Sequence, residues 1–144
     1  MREATGSSML LYIVVFFVGI IILFFAGIMA YSKAYKAKNR IIEVIEEYGT
    51  YTRGTGSTAE NTVKSSLKSM GYQTGDCSGT TQKGYTSVQN SSGYKYCVYN
   101  KNANGGTQYK VITYVHFDFP IIGSAINIPV SGETKILGKS YDYN

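Results

Sequence analysis

Tryptophan is absent from these 144 residues, proline occurs twice, and a single histidine accompanies two cysteines. One His and two Cys fall short of the four ligands that a zinc site needs, so no metal is expected. Also missing are a Gly-x-Ser-x-Gly elbow, a His-Glu-x-x-His pair and a phosphate-cradling glycine loop. His116 and Asp118, two apart on a strand, would share a face about 7 Å apart, too far for a direct hydrogen bond. The chain therefore reads as non-enzymatic, with no cofactor. The net charge of +5 does not point to nucleic acid either: from residue 41 onward nine Lys/Arg face eight Asp/Glu. The excess sits in one collar, Lys33, Lys36, Lys38 and Arg40, whereas a nucleic-acid binder spreads its basic residues over a folded face.

Charge is missing altogether between Glu3 and Lys33. Residues 9–30 (MLLYIVVFFVGIIILFFAGIMA) are almost entirely aliphatic or aromatic and lack the polar stripe of a soluble core helix. As a helix they would span about 33 Å, matching a hydrocarbon core of about 30 Å. Tyr12 and Tyr31 stand near the two ends, where aromatic rings favour the membrane–water boundary. A cleaved secretory signal is the competing reading. Its apolar run would be only about 7–15 residues, and here lysines follow where a cleavage site would lie. A retained anchor in membrane lipid is favoured.

Orientation sets two rules against each other. The basic collar taken alone would lie in the cytoplasm. The hundred residues after it are rich in Tyr, Ser, Thr, Asn and Gly, poor in charge, and hold both cysteines, which suits an oxidising space. Long domains translocate largely regardless of charge. The amino terminus is accordingly placed inside and the carboxyl-terminal domain outside. Cys77 and Cys97 then read as one disulfide, worth about 3 kcal/mol through the loop entropy it removes.

No stop signal separates the anchor from the residues after it. Ile41, Ile42, Val44, Ile45 and Tyr48 form an apolar stripe opposite Glu43, Glu46 and Glu47, and Gly49 is the first C-cap candidate. One helix is predicted from about Ser8 to Tyr48. The three glutamates read as a solvated face, the alternative being ionic pairing with a neighbouring subunit's lysines. Ser57 and Glu60 fit a capping box before Ala59, Val63, Leu67 and Met70, predicting a second helix over 58–70 that ends at Gly71. Tyr94 to Tyr99 reads as a strand, residues 100–106 as a loop, and residues 109–119 as a long strand. In that strand Val111, Thr113 and Val115 oppose Ile112 and Tyr114. Pro120 to Ser124 would turn the chain into a last strand over 125–137, with a bulge at Ser131-Gly132.

The fold class is thus α+β. The expected layout is a leader (1–8), a transmembrane helix (9–31), its amphipathic continuation (32–49) and an extracytoplasmic domain (50–144). That domain would pair a short second helix with a carboxyl-terminal antiparallel β-meander. Eleven tyrosines lie from Tyr48 onward. Tyr is favoured at protein interfaces, and Tyr94, Tyr96 and Tyr99 on one short strand are the expected contact surface, unless the sheet uses them as cover. In the anchor, Gly19 and the Ala26/Ala30 pair would permit close helix approach.

Three stretches carry a family resemblance: GSSMLLYIVVFFVGIIILFF, the spacing from Cys77 to Tyr94-Lys95-Tyr96-Cys97, and VITYVHFDFPIIGSAINIPVSGETKIL. Together they resemble TadE-like pseudopilins of the tight-adherence pili of Gram-positive bacteria, which are type IV pilin-like subunits. The resemblance implies a non-enzymatic subunit whose helix packs among other helices and whose β-domain faces outward for adhesion or priming. It also implies other pilin or pseudopilin subunits, a prepilin peptidase and pilus assembly machinery as partners. The chain departs from the pattern at one place: the fifth residue after Gly6 is Leu11, where prepilin-type processing has Glu. The alternative reading is a single-pass, membrane-tethered binding or sensory module.

Overall fold

The computed structural model describes residues 2–52, 57–73, 77, 82–88, 96–118 and 125–138. Helix α1 runs unbroken over Arg2–Tyr48, beginning ahead of the expected Ser8. Ser7 and Ser8 are weak helix formers that cost only about half a kcal/mol each, so they do not stop it. Gly49 ends it in the left-handed region at φ 69°. Helix α2 covers Thr58–Ser69.

The capping box expected at the start of α2 does not form. Ser57 occupies the N-cap position with extended backbone, yet its side chain makes no capping bond. Glu60 is buried, and its carboxylate instead meets the Lys64 ammonium one turn on, at 2.8 Å. The other end closes as the sequence predicts. The Gly71 N–H donates to the Lys68 carbonyl (3.1 Å) and the Tyr72 N–H to that of Leu67 (3.0 Å), with Gly71 at φ 65°. This Schellman pairing turns the chain so that Tyr72 packs back against the core.

Four antiparallel strands come next, in the order β1 (Thr86–Ser87), β2 (Tyr96–Ala103), β3 (Gly106–Asp118) and β4 (Ala125–Glu133). The meander is as predicted, and β1 is an addition. Most of the loop expected over 100–106 is strand: Ala103 pairs with Gly106, leaving only Asn104 and Gly105 to turn the chain, at φ 45° and 84°. Positive φ at both central residues makes a tight hairpin with the twist that antiparallel strands need.

No bulge interrupts β4. Ile112 pairs with Ser131 and Val111 with Gly132 in continuous register. Gly132 is there because α1 crosses closely: a Cβ would lie 2.9 Å from both Ile42 Cδ1 and Lys38 Cδ. The last strand also ends at Glu133 rather than 137. Beyond it, Thr107 and Leu137 exchange two backbone hydrogen bonds of 2.8 Å. Gly106 lies beneath that bridge, with the Leu137 carbonyl oxygen where a Cβ would sit. The expected turn over 120–124 lies outside the described residues.

Over residues 96–99 and the paired part of β3 the sheet is covered on both faces. Ala37, Ile41, Val44 and Ile45 of α1 and Ala59, Val63 and Leu67 of α2 pack with Tyr96, Val98, Tyr109 and Val111. On the other face Cys77, Cys97, Tyr99 and Ile112 form a second cluster, flanked by Tyr85 and Tyr114. The alternation predicted for residues 111–115 is therefore real. Both of its faces are covered.

Candidate functional site

Helix α1 holds the feature that stands out chemically. Its large apolar side chains from Met9 to Tyr31 are each between 46 % and 72 % exposed. Residues 6–26 are exposed on every side, and a Cβ at Gly19 would meet nothing within 4 Å. This is one helix long and apolar enough to cross a membrane. An aqueous surface of this kind would be costly, at about 25 cal/mol for each Å² of apolar area in water.

One turn later the same helix becomes the spine of the head. Gly27 and Ala30 are half-covered, and Ala34, Ala37 and Ile41 are wholly buried. The spacing of three and four residues keeps them on one stripe. The small side chains let the sheet approach the helix backbone, and Thr113 Oγ1 donates to the Ala34 carbonyl at 2.9 Å. Ala34 packs with Val115 and Val130, and Ala30 flanks that cluster.

Polar residues fasten the join. The Glu46 carboxylate accepts from the Lys135 N–H at 3.0 Å and lies 3.6 Å from its ammonium. Glu43 pairs with Arg40 at 2.8 Å. Two of the three glutamates read as a solvated face thus have partners within the chain. The basic collar is not uniform either. Lys33 and Lys36 are exposed, whereas Lys38 is only 9 % exposed and lays its stem over Gly132. Its ammonium sits 4.2 Å from the Tyr35 ring centre, and Tyr35 stacks on Tyr31 at 6.5 Å.

Buried tyrosines form the polar interior of the head. The Tyr51 and Tyr96 hydroxyls meet at 3.3 Å, and the Tyr51 N–H donates to the Tyr109 hydroxyl at 3.3 Å. The Tyr72 hydroxyl donates to the Tyr114 carbonyl (2.9 Å) and accepts from the Tyr114 N–H (3.2 Å). Burial pushes the Tyr72 phenol up to about 12, against the downward pull of the Tyr114 backbone bond. On the opposite face the Tyr85 hydroxyl donates to Glu133 at 3.0 Å, and the Lys110 ammonium lies 5.4 Å from the Tyr85 ring. Burial first, then the Glu133 carboxylate, raises the Tyr85 phenol as well.

The expected site residues fare differently. Cys77 and Cys97 form a disulfide, 5.0 Å between Cα atoms, that ties residue 77 to the start of β2. Gly19 and Ala26 lie on the exposed half of α1, while Ala30 is partly occupied by the chain's own cluster with Val115 and Val130. The tyrosine contact surface needs correction. Tyr96 and Tyr99 are both 0 % exposed, because β2 is an interior strand of a sheet covered on both faces. Tyr94 lies outside the described residues.

Ala34, Ala37, Tyr51, Tyr72 and Thr113, which join helix and head, were missed. The run Ala30, Ala34, Ala37, Ile41 continues the predicted stripe backward and could have found two of them. Among the described residues no group of three or more His, Cys, Asp or Glu is placed to hold a metal ion. Compared with known protein families, curated proteins and solved structures, the chain matches none of them.

Proposed function

We propose that this chain is a non-enzymatic, pilin-like subunit of a tight-adherence or type IV pilus-like assembly. In this reading the apolar half of α1 spans the membrane and packs against helices of other subunits. The disulfide-bonded head lies outside the cytoplasm. The observation that carries the reading is the continuity of α1: within one helix of 47 residues, residues 9–26 are apolar and uncovered and residues 34–45 are built into the head. A rod of this kind is about 70 Å long and fixes the head relative to the apolar segment. A flexible linker would not. The disulfide supports a head in an oxidising compartment.

The test is the amino-terminal residue of the mature protein and its location, in the membrane or in a sheared surface fraction. A product that retains residues 9–30 and reaches the surface fraction is expected. A soluble product beginning after residue 30 would overturn the reading. Gly19→Leu separates a packed subunit from a simple tether. It should abolish incorporation into the surface fraction while leaving the chain in the membrane and the stability of the head unchanged to within about 0.5 kcal/mol. Unaltered incorporation would favour the tether.

A further inference from the structure

The apolar surface of α1 does not end at the helix. Among the residues outside α1 whose side-chain exposure is described, the exposed large hydrophobics are Met70 and Ile128, the latter 45 % exposed on edge strand β4. Both lie at the end of the head nearest the apolar half of α1. Three contacts fix that direction. Gly132 lies against Ile42 and Lys38, Val130 packs with Ala34, and Val115, the partner of Ile128, belongs to the same cluster flanked by Ala30. Descending β4 from 132 to 128 therefore descends α1 from 42 toward 30. Ile128, opposite Val115, is on the α1 side of the sheet and past the exposed Lys33 and Lys36.

Met70 reaches the same end from α2. It precedes Tyr72, which packs against Ala34, Val115 and Val130. The sequence of β4 agrees with this placement, since residues 125–132 contain no charged side chain.

We infer that the end of the head bearing Ile128, Pro129 and Met70 is a second membrane contact, seated in the headgroup–acyl boundary beside α1. The inference rests on α1 spanning a bilayer. The bilayer is the occupant because residues 6–26 are exposed all round, so the medium that solvates them continues around the helix to Ile128. The exposed Lys33 and Lys36 then stand at the level of the phosphates, where cationic side chains are favoured. Apolar side chains just past them meet acyl chains. The head is thereby held down on the surface rather than free to tilt on its rod.

The absence of tryptophan provides a clean probe. Ile128→Trp, Phe16→Trp and Asn102→Trp would each be made in the full-length oxidised chain. Each would be reconstituted in vesicles of phosphatidylcholine and phosphatidylglycerol carrying brominated acyl chains. Phe16→Trp reports the anchor, and Asn102→Trp the far hairpin of the head. The expected result is quenching of Phe16→Trp and Ile128→Trp, the latter strongest with bromines near the headgroups, and none of Asn102→Trp. Quenched Phe16→Trp with unquenched Ile128→Trp overturns the inference and leaves the anchor standing. A blue-shifted but unquenched Ile128→Trp that depends on protein density also overturns it, in favour of a second copy. Unquenched Phe16→Trp removes the anchor and the inference with it. Pro129→Trp, at an exposed edge position, repeats the measurement should Ile128→Trp fail to fold.

Discussion

Residues 6–26 of α1 are exposed on every side, whereas from Ala34 to Ile45 one face of the same helix is buried against sheet and α2. The two halves share a backbone conformation, so the difference does not lie in helix propensity. It lies in side-chain size and in the distribution of polarity. The lower half is large and apolar all round, leaving no face to select. The upper half has a narrow stripe of Ala, Val and Ile between charged residues, and that stripe admits a sheet at close range. The lesson is that a helix is covered along an apolar stripe bounded by polar residues, with small side chains where the sheet comes closest.

The sharpest way to break this contrast is to remove a large side chain from each half. Ile45→Ala should destabilise the head by about 2–5 kcal/mol in denaturant unfolding, because Ile45 is wholly buried. Phe16→Ala should leave the same midpoint unmoved, and a comparable loss there would mean that the lower half has a partner within the chain. Next in size is Cys97→Ser. Opening a loop whose ends are 20 residues apart should cost about 3 kcal/mol, with no further loss when reductant is added.

A smaller effect tests the contact between α2 and β3. The Tyr72 phenol is held above the ordinary tyrosine value of about 10, so the fold favours its neutral form. Its contribution is fully present below pH 10 and is lost as pH rises toward about 12. Alkaline titration of unfolding should show that loss, and Tyr72→Phe should abolish this part of it. Smallest is Thr113→Val, which removes the bond to the Ala34 carbonyl and should cost about 1 kcal/mol. No change on Thr113→Val would mean that this bond adds nothing net to the packing that holds the helix to the sheet.

Local rules made part of the head readable in advance. Gly49 and Gly71 end their helices in left-handed backbone as expected, and Val111, Thr113 and Val115 share the face assigned to them. The departures have local causes too. Asn104-Gly105 is the stronger turn within a polar stretch, so the residues before it were free to join β2. Ser57 makes no side-chain cap, and the Glu60 carboxylate pairs with Lys64 one turn on. Gly132 looked like a bulge because a glycine within a strand signals either a bulge or a close approach, and only the crossing of α1 decides which.

What the sequence by itself determined is what depends on near neighbours along the chain: the uncharged run, the unbroken helix, the strand alternation and the pair of cysteines. Hydropathy and backbone preference act over a few residues and are legible there. Which tyrosines face water was decided only by tertiary structure. Tyr96 and Tyr99 lie on opposite faces of β2, and each is sealed by a different layer, the helices on one side and the disulfide cluster on the other. Burial depends on what arrives from distant parts of the chain, and no local pattern records that arrival.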